Sequence, residues 1–218
     1  MATFNNGING GFTGKAGSVI AYQLHGKWVM KGMPKPSAKN KRGTTSQKAC
    51  RCAFTKMQTF LSPLIDFIRV GFNLESKSRQ MTAHNAAKSY NMLNAMNEDG
   101  TIQYDQVCLT QGSLTGVAGA KVEKDDVGFH FSWNDNSNYS GSRKANDAAG
   151  SDQVMLVAYD VKGKHATFIT SGARRSTGKE TLLMQNFEKG KEMHLWISFI
   201  ADDRDHTATS SYLGAMVY

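Results

Sequence analysis

The stretch VGFHFSW, residues 127–133, decides the fold class, because large apolar side chains occupy every second position. This two-residue period is typical of a β-strand with one buried face. Short apolar runs follow it, separated by loops rich in Gly, Asp, Asn and Lys: QVMLVAYD (153–160), HATFITSG (165–172), TLLMQN (181–186), MHLWISFI (193–200) and SSYLGAMV (210–217). Six or seven strands at this spacing predict, over residues 105–218, an antiparallel β-sandwich of immunoglobulin or fibronectin type without its disulfide.

Residues 46–104 have the three- and four-residue spacing of helices. Ser46 is expected to cap the helical segment 46–70, and Pro63 either to divide it into two helices or to kink one helix sharply, because proline is not accommodated inside an unbroken helix. A further helix is expected at 82–97, capped by Thr82. The predicted apolar faces consist of Cys50, Phe54, Met57, Leu61, Leu64 and Ile68 in segment 46–70, and of Ala86, Tyr90 and Leu93 in the further helix. The predicted fold class is therefore α+β.

Residues 1–45 are predicted to form an extended basic arm, since they contain many glycines and no apolar cluster able to form a core alone. A strand at 18–24, a turn at Gly26 and a return strand at 28–30 predict a small hairpin within it. Two prolines in the basic stretch 33–46 favour extended chain beyond the hairpin. We expect the arm to become ordered on a different copy or a partner, burying Val19, Tyr22, Trp28 and Val29.

The charge of the chain is concentrated in its first third. Residues 1–65 contain ten basic residues and no acid, which leaves 16 basic and 18 acidic residues for 66–218. Such a segment favours an anionic surface, either nucleic acid or the acidic face of a neighbouring subunit. The predicted basic surface of the arm consists of Lys15, Lys27, Lys31, Lys35, Lys39, Lys41 and Arg42.

Nucleotide, metal and catalytic sites are not predicted. GGFTGKAG (residues 10–17) resembles a phosphate-binding loop, but Asn9 and Ala16 stand where that motif needs its first glycine and its hydroxyl. Cys50 and Cys52 form a lone pair without the second half of a zinc site, so buried thiols are expected. His130 and His194 are expected to face solvent, the Asp202–Asp205 cluster and Asp135 with Asn136 and Asn138 to form turns, and Arg174 and Arg175 to lie in a solvated loop. We therefore expect no cofactor and no enzymatic activity.

The chain contains no apolar run long enough to span a bilayer and no secretory signal at its N-terminus. We expect synthesis in the cytoplasm and no membrane span. Release, if it occurs, would then be as part of an assembled particle.

The order of several stretches resembles an uncharacterised family common in Bacteroidota that is carried as a domain of unknown function. The matching stretches are GKAGSV (14–19), HGKWVMKGMPKP (25–36), TTSQKACRCAF (44–54), FLSPLIDFIRVGF (60–72), TAHNAAKSYNMLNAM (82–96), LTQGSLTG (109–116), FSWNDNS (131–137), DQVMLVAYD (152–160), GARRS (172–176) and SSYLGAMVY (210–218). The resemblance implies a fold that joins the N-terminal module to the strands, and it implies no activity. The N-terminal module also resembles pieces of phage structural proteins.

Two functional hypotheses follow. In the first, the chain is a structural subunit of a virion, a phage-like particle or a filament, and its arm lies on a neighbouring copy or another particle subunit, for example by strand addition to a sheet edge. In the second, the arm binds nucleic acid by following its phosphates. For base stacking the arm offers little beyond Tyr22 and Trp28, and it contains no recognition helix. This scarcity of features for binding nucleic acid favours the first hypothesis.

Overall fold

The chain combines helices with mostly antiparallel sheets, in agreement with the predicted α+β class. A computed structural model describes residues 2–4, 10–35, 43–137, 147–185 and 187–218. The chain divides into two compact units, Met1–Lys48 and Ala49–Tyr218. They are called here the N-terminal unit and the C-terminal unit.

The N-terminal unit is a four-stranded antiparallel sheet in the order β1-β2-β3-β4. Its strands are β1 (Ala2–Phe4), β2 (Phe12–Ala16), β3 (Val19–Leu24) and β4 (Lys27–Gly32). The predicted hairpin is present as β3 and β4. His25 (φ 47°) and Gly26 (φ 78°) both adopt the left-handed conformation that a tight two-residue hairpin turn requires. The described part of this segment is thus a sheet where the sequence predicted an extended arm with one hairpin.

Four helices open the region that follows: α1 (Thr45–Leu61), α2 (Ile65–Gly71), α3 (Asn73–Ser78) and α4 (Ala83–Asn94). A 3-10 turn, Ser62–Leu64, carries Pro63 in its first turn and separates α1 from α2, as expected from the missing N–H of proline. Thr82 caps α4 as predicted, because its hydroxyl accepts a hydrogen bond from the Asn85 N–H.

The start of α1 differs from the prediction in two ways. Thr44 caps it instead of Ser46: the Thr44 hydroxyl accepts from the Gln47 N–H, and the Gln47 side chain accepts from the Thr44 N–H. Cys50 and Phe54 are exposed, since the part of α1 that lies over the sheet begins only at Met57. Leu93 at the end of α4 is likewise 81% exposed. Helical spacing therefore gave the correct face but not how far along each helix the core extends.

Seven strands form two further antiparallel sheets, in the orders β11-β10-β7-β8 and β5-β6-β9. The first sheet is called here the central sheet. The strand bounds are β5 (Ala118–Lys124), β6 (Gly128–Asn134), β7 (Gln153–Asp160), β8 (His165–Ile169), β9 (Lys179–Leu183), β10 (Glu192–Ile200) and β11 (Ser211–Val217). Residues 128–133 of the opening stretch form most of β6, and Phe129, Phe131 and Trp133 are buried as predicted, but Val127, which begins the alternation, lies outside the strand and is 57% exposed.

Both faces of β7 and β10, the inner strands of the central sheet, are covered by other parts of the chain. Alternate residues of β7 and β10 pack against the three-stranded sheet: Val154, Leu156, Ala158, Met193, Leu195, Ile197 and Phe199. The residues between them pack against the helices: Met155, Val157, Tyr159, Trp196 and Ile200. Strands buried on both faces are apolar throughout instead of alternating, as QVMLVAYD and MHLWISFI are.

One hydrophobic core joins the helices to the strands. It contains Phe60 and Phe67 of the helical region together with Tyr159 and Trp196 of the central sheet. The Tyr159 hydroxyl donates a hydrogen bond to the Phe60 carbonyl at 3.0 Å. The predicted boundary between residues 104 and 105 passes through this core, so the helical layer and the sheets share one unit.

Candidate functional site

The register of the N-terminal sheet separates its side chains by chemistry, because residues paired across antiparallel strands point to the same face. Ala21 pairs with Gly14 on one side and with Met30 on the other, and Gln23 pairs with Trp28. Only Gln23 of this face is polar among the described residues. This apolar face comprises Phe12, Gly14, Ala16, Val19, Ala21, Gln23, Trp28, Met30 and Gly32.

The opposite face carries the lysines. Ile20 pairs with Lys15 and with Lys31, so that two ammonium groups flank an isoleucine in one row. The Lys31 ammonium lies 5.4 Å from the centre of the Tyr22 ring, within the range of a cation–π contact. This basic face comprises Thr13, Lys15, Ile20, Tyr22, Leu24, Lys27, Val29 and Lys31.

The four residues predicted to make assembly contacts do not share one face. Val19 and Trp28 lie on the apolar face, whereas Tyr22 and Val29 lie on the basic face. Of the predicted basic surface, Lys15, Lys27 and Lys31 lie together on the basic face, and Lys35 is exposed beyond the end of β4. Lys39, Lys41 and Arg42 fall outside the described residues.

The apolar face has little cover. Among the described residues of the N-terminal unit, Ala21 is the only buried one, and Trp28 and Met30 are 44% and 63% exposed. One side of the Trp28 ring lies against Gly11, where an added Cβ would come within 2.1 Å of the ring. Gly11 thus allows the indole to lie flat on the backbone, and the rest of the ring remains in solvent.

The second notable feature is the buried Arg175 in the C-terminal unit. The prediction that this residue lies in a solvated loop was wrong. The Arg175 side chain is fully buried, and its Nε donates to Asp152 at 3.1 Å. Its terminal nitrogens donate to the Gly116 carbonyl at 3.0 Å, the Asn136 side chain at 2.8 Å and the Thr115 carbonyl at 2.8 Å. Arg174, the other half of the predicted basic pair, is exposed.

Apolar contacts complete the surroundings of Arg175. The guanidinium carbon lies 3.8 Å from the centre of the Phe199 ring, and the Arg175 carbonyl accepts a hydrogen bond from the Trp133 indole at 2.8 Å. A planar group with five donors suits this position, where a lysine would leave acceptors without a partner. Four of the stretches that carry the family resemblance, LTQGSLTG, FSWNDNS, DQVMLVAYD and GARRS, meet at this side chain. Through its hydrogen bonds, Arg175 holds these loops together.

Two further interpretations of single residues were wrong. His194 is 8% exposed instead of facing solvent: its Nδ1 lies 2.8 Å from the Tyr212 hydroxyl, and its ring lies 4.2 Å from the Tyr104 ring. Burial lowers the pKa of His194. Cys50 and Cys52 are exposed, whereas Cys108 is buried and its pKa is raised to about 11 by burial. Alternation in β10 predicts one solvent-exposed face, whereas the helical layer covers the face on which His194 lies.

The other candidate groups form local structural contacts. His130 in β6 is partly exposed and lies 2.6 Å from Asp125, whose pKa is lowered to about 2, chiefly by this hydrogen bond. Asp203 accepts a hydrogen bond from the Asp205 N–H, as expected of a turn. Asn138 lies outside the described residues. No group of three or more potential metal ligands occurs in the described parts of the chain.

Residues 11–214 match the model of a family of unknown function, DUF6266. The chain belongs to this family. The expectation of an uncharacterised family is thereby confirmed, while its distribution in Bacteroidota and its likeness to phage structural proteins stay predictions. No curated protein and no solved structure matches the chain. No helix among the described residues is long and apolar enough to cross a membrane.

Proposed function

We propose that the chain is a non-enzymatic structural subunit of a virion, a phage-like particle or a filament, and that residues 1–45 make the subunit contacts. The observation that carries the proposal is the apolar face of the N-terminal sheet. A four-stranded sheet whose large apolar side chains remain exposed gains stability when another surface covers that face. Trp28 and Met30 provide this surface.

The placement of charge supports a protein partner on the apolar face. Lys15, Lys27 and Lys31 all lie on the opposite face, so a partner on the apolar face meets none of them. Another copy can therefore approach without bringing like charges together. The acidic residues of the chain all lie beyond residue 65, where they outnumber the basic residues by 18 to 16, so acids on a neighbouring copy are available to the outward lysines.

A specific observation favours the second candidate function, nucleic-acid binding. The basic face combines three lysines with Tyr22, a ring on which a base can stack. Contacts of this kind are made mainly to phosphates, so binding would depend little on sequence and would fall steeply with salt. We expect weak binding that disappears at physiological salt. Tight binding under those conditions would favour this function over assembly.

We also infer that strands β5–β11 are a variant of the immunoglobulin or fibronectin sandwich. Lettered A to G in chain order, they give the sheets A-B-E and G-F-C with one further strand beside C. In the constant-type immunoglobulin arrangement that further strand lies beside E instead. The helical layer over the G-F-C sheet is an addition to such a sandwich.

The test of assembly compares the full chain with a variant lacking residues 1–35. We expect the full chain to form large particles or oligomers by light scattering and negative-stain microscopy, and the shortened chain to remain a folded monomer. Trp28→Ala should weaken assembly without lowering the melting temperature of the monomer. Leu24→Ala is the matched control, because Leu24 is similarly exposed (49%) but lies on the basic face.

Two results would contradict the proposal. One is normal assembly of the shortened chain; the other is an equal loss of assembly in Trp28→Ala and Leu24→Ala. Replacing Lys15, Lys27 and Lys31 together by Gln separates the two functions, since this change should abolish binding to single-stranded DNA at low salt and leave the apolar face intact.

A further inference from the structure

A groove in the C-terminal unit has the dimensions of a ligand site. Its volume is about 480 Å³, within the range of small-molecule pockets. One wall is the second half of α1, another is the loop 100–104, and the third is the end of β7 with the turn that follows it. The groove lies apart from the N-terminal sheet in sequence and does not depend on the proposed assembly function.

The floor of the groove combines the partly buried side chains of Ile102, Tyr104 and Val161 with the rings of Phe60 and Tyr159, which are only 4% and 0% exposed. The Phe60 ring stacks on Tyr104 at a centroid distance of 5.9 Å and meets Tyr159 edge-on at 5.2 Å. The Tyr159 hydroxyl is engaged by the Phe60 carbonyl, and burial raises its pKa to about 12, so it remains neutral at physiological pH. Ile102 and Val161 extend this apolar surface. A flat apolar group can therefore lie against the floor without separating any polar atom from its partner.

The rim of the groove is basic. Lys56 and Lys164 are its charged residues, and no acid belongs to its described lining. The Lys56 ammonium donates to the Gly100 carbonyl at 2.9 Å, which fixes its position across one end. Asp99, an acid that interacts electrostatically with Lys56, accepts hydrogen bonds from both the N–H and the hydroxyl of Thr101. Its carboxylate reduces the positive potential of Lys56.

Lys164 occupies a position that its own side chain does not favour. Its φ is 57°, in the left-handed region where glycine or asparagine is normally found. The neighbouring turn residue Lys162 pairs with Glu192, whereas Lys164 has no ion-pair partner among the described residues. A lysine in a left-handed turn, without an acid of its own and at the edge of an aromatic groove, suggests a role in holding an anion.

We infer that this groove binds a small aromatic carboxylate. The ring of the ligand lies against Tyr104, Ile102 and Val161, the apolar floor residues that have surface open to the groove, and its carboxylate lies between Lys56 and Lys164. Both parts are needed: the lysines select an anion, and the aromatic floor selects a flat apolar body. An aliphatic acid of similar size has less area to place on the floor, and a neutral aromatic molecule gains nothing from the lysines.

The test uses 2-naphthoate and its uncharged analogue 2-naphthalenemethanol with the full chain, measured by calorimetry. We expect saturable binding of 2-naphthoate and weaker binding of the alcohol. Lys164→Gly and Lys56→Gln should each weaken naphthoate binding by roughly threefold to tenfold, as for partly exposed charge pairs, and should leave the affinity for the alcohol unchanged.

Lys164→Gly also separates binding from folding. Glycine adopts φ 57° without strain, so this variant should melt at the same or a higher temperature than the parent. Lys162→Gln is the matched control: it removes the same charge from the same turn, outside the groove, and should leave naphthoate affinity unchanged. The inference is overturned by absence of naphthoate binding at millimolar concentration, by equal affinity for the alcohol, or by an equal effect of Lys162→Gln and Lys164→Gly.

Discussion

The N-terminal sheet and the central sheet are both antiparallel and four-stranded, yet their side chains meet opposite environments. In the central sheet, β7 and β10 are buried on both faces, by the helices on one side and by the three-stranded sheet on the other. In the N-terminal sheet, Ala21 is the only described residue that is buried. The two sheets therefore share the same kind of backbone pairing. The inner strands of the central sheet pack against a hydrophobic core on each face, whereas the N-terminal sheet has almost no buried core.

This difference bears on where each sheet obtains its stability. Ordering the backbone costs roughly 1–2 kcal/mol per residue, and hydrogen bonds exchanged with water return only part of it. The central sheet offsets this cost with buried side chains such as Trp196 and Tyr159. The N-terminal sheet lacks this contribution within its own unit. Its order is thus expected to depend on a partner surface, which is the physical basis of the assembly proposal.

The largest expected effect concerns fragments. Residues 105–218 expressed alone should fail to fold, because removal of the helices exposes Met155, Val157, Tyr159 and Trp196 together. Residues 43–218 should give a cooperative thermal melt by near-ultraviolet circular dichroism. A cooperative melt of the 105–218 fragment would show instead that the two-sheet core folds independently of the helical layer.

A smaller but still large effect is expected at the buried arginine. Arg175→Met should lower the free energy of unfolding by about 3–5 kcal/mol, because it removes the cation that pairs with buried Asp152 and the side chain that donates to three loop acceptors. Urea denaturation measures this change. Arg174→Met, one residue away and exposed, should change it by less than about 0.5 kcal/mol. Equal effects of the two substitutions would contradict the role of Arg175 in holding these loops together.

Local sequence patterns predicted the strands well and their surroundings poorly. The alternation in 127–133 correctly predicted the burial of Phe129, Phe131 and Trp133 but wrongly included Val127, and the turn at Gly26 correctly predicted the hairpin. The burial of His194 depends on Tyr104 and Tyr212, which are distant in sequence and become neighbours only when the helical layer covers β10. The apolar runs in β7 and β10 indicate burial on both faces. A strand with one solvent-exposed face alternates apolar and polar residues, and these two strands do not.

The candidate sites show the same limit. The lysines of the basic face were found from composition, but their separation from Trp28 and Val19 follows from strand register, which sequence alone did not fix. Arg175 stood in a stretch with no apolar period to indicate burial. Its partners come from three other loops, and no local pattern brings these together. The groove beside Phe60 is likewise formed by segments about 40 to 100 residues apart.

The smallest expected effect is a loss of stability in mild acid that arises within the C-terminal unit. Burial lowers the pKa of His194, with Glu192 opposing this and Lys162 adding to it. Burial, with a contribution from Lys88, also lowers the pKa of His84. A histidine with a lowered folded-state pKa binds its proton more readily in the unfolded chain, whose value is about 6.5. These groups therefore leave stability unchanged above about pH 7 and reduce it as the pH falls below 6.5.

We expect the free energy of unfolding of the parent chain to decline between pH 7 and pH 5, and His194→Gln to decline less over the same range. Glutamine does not titrate, and its amide can accept the hydrogen bond of the Tyr212 hydroxyl. Urea denaturation at a series of pH values measures the difference. His84→Gln should reduce the decline by a further amount, and the double variant should have the flattest profile. Identical profiles for the parent and His194→Gln would mean that this imidazole remains accessible to water, and that the helical layer does not seal this face of the central sheet.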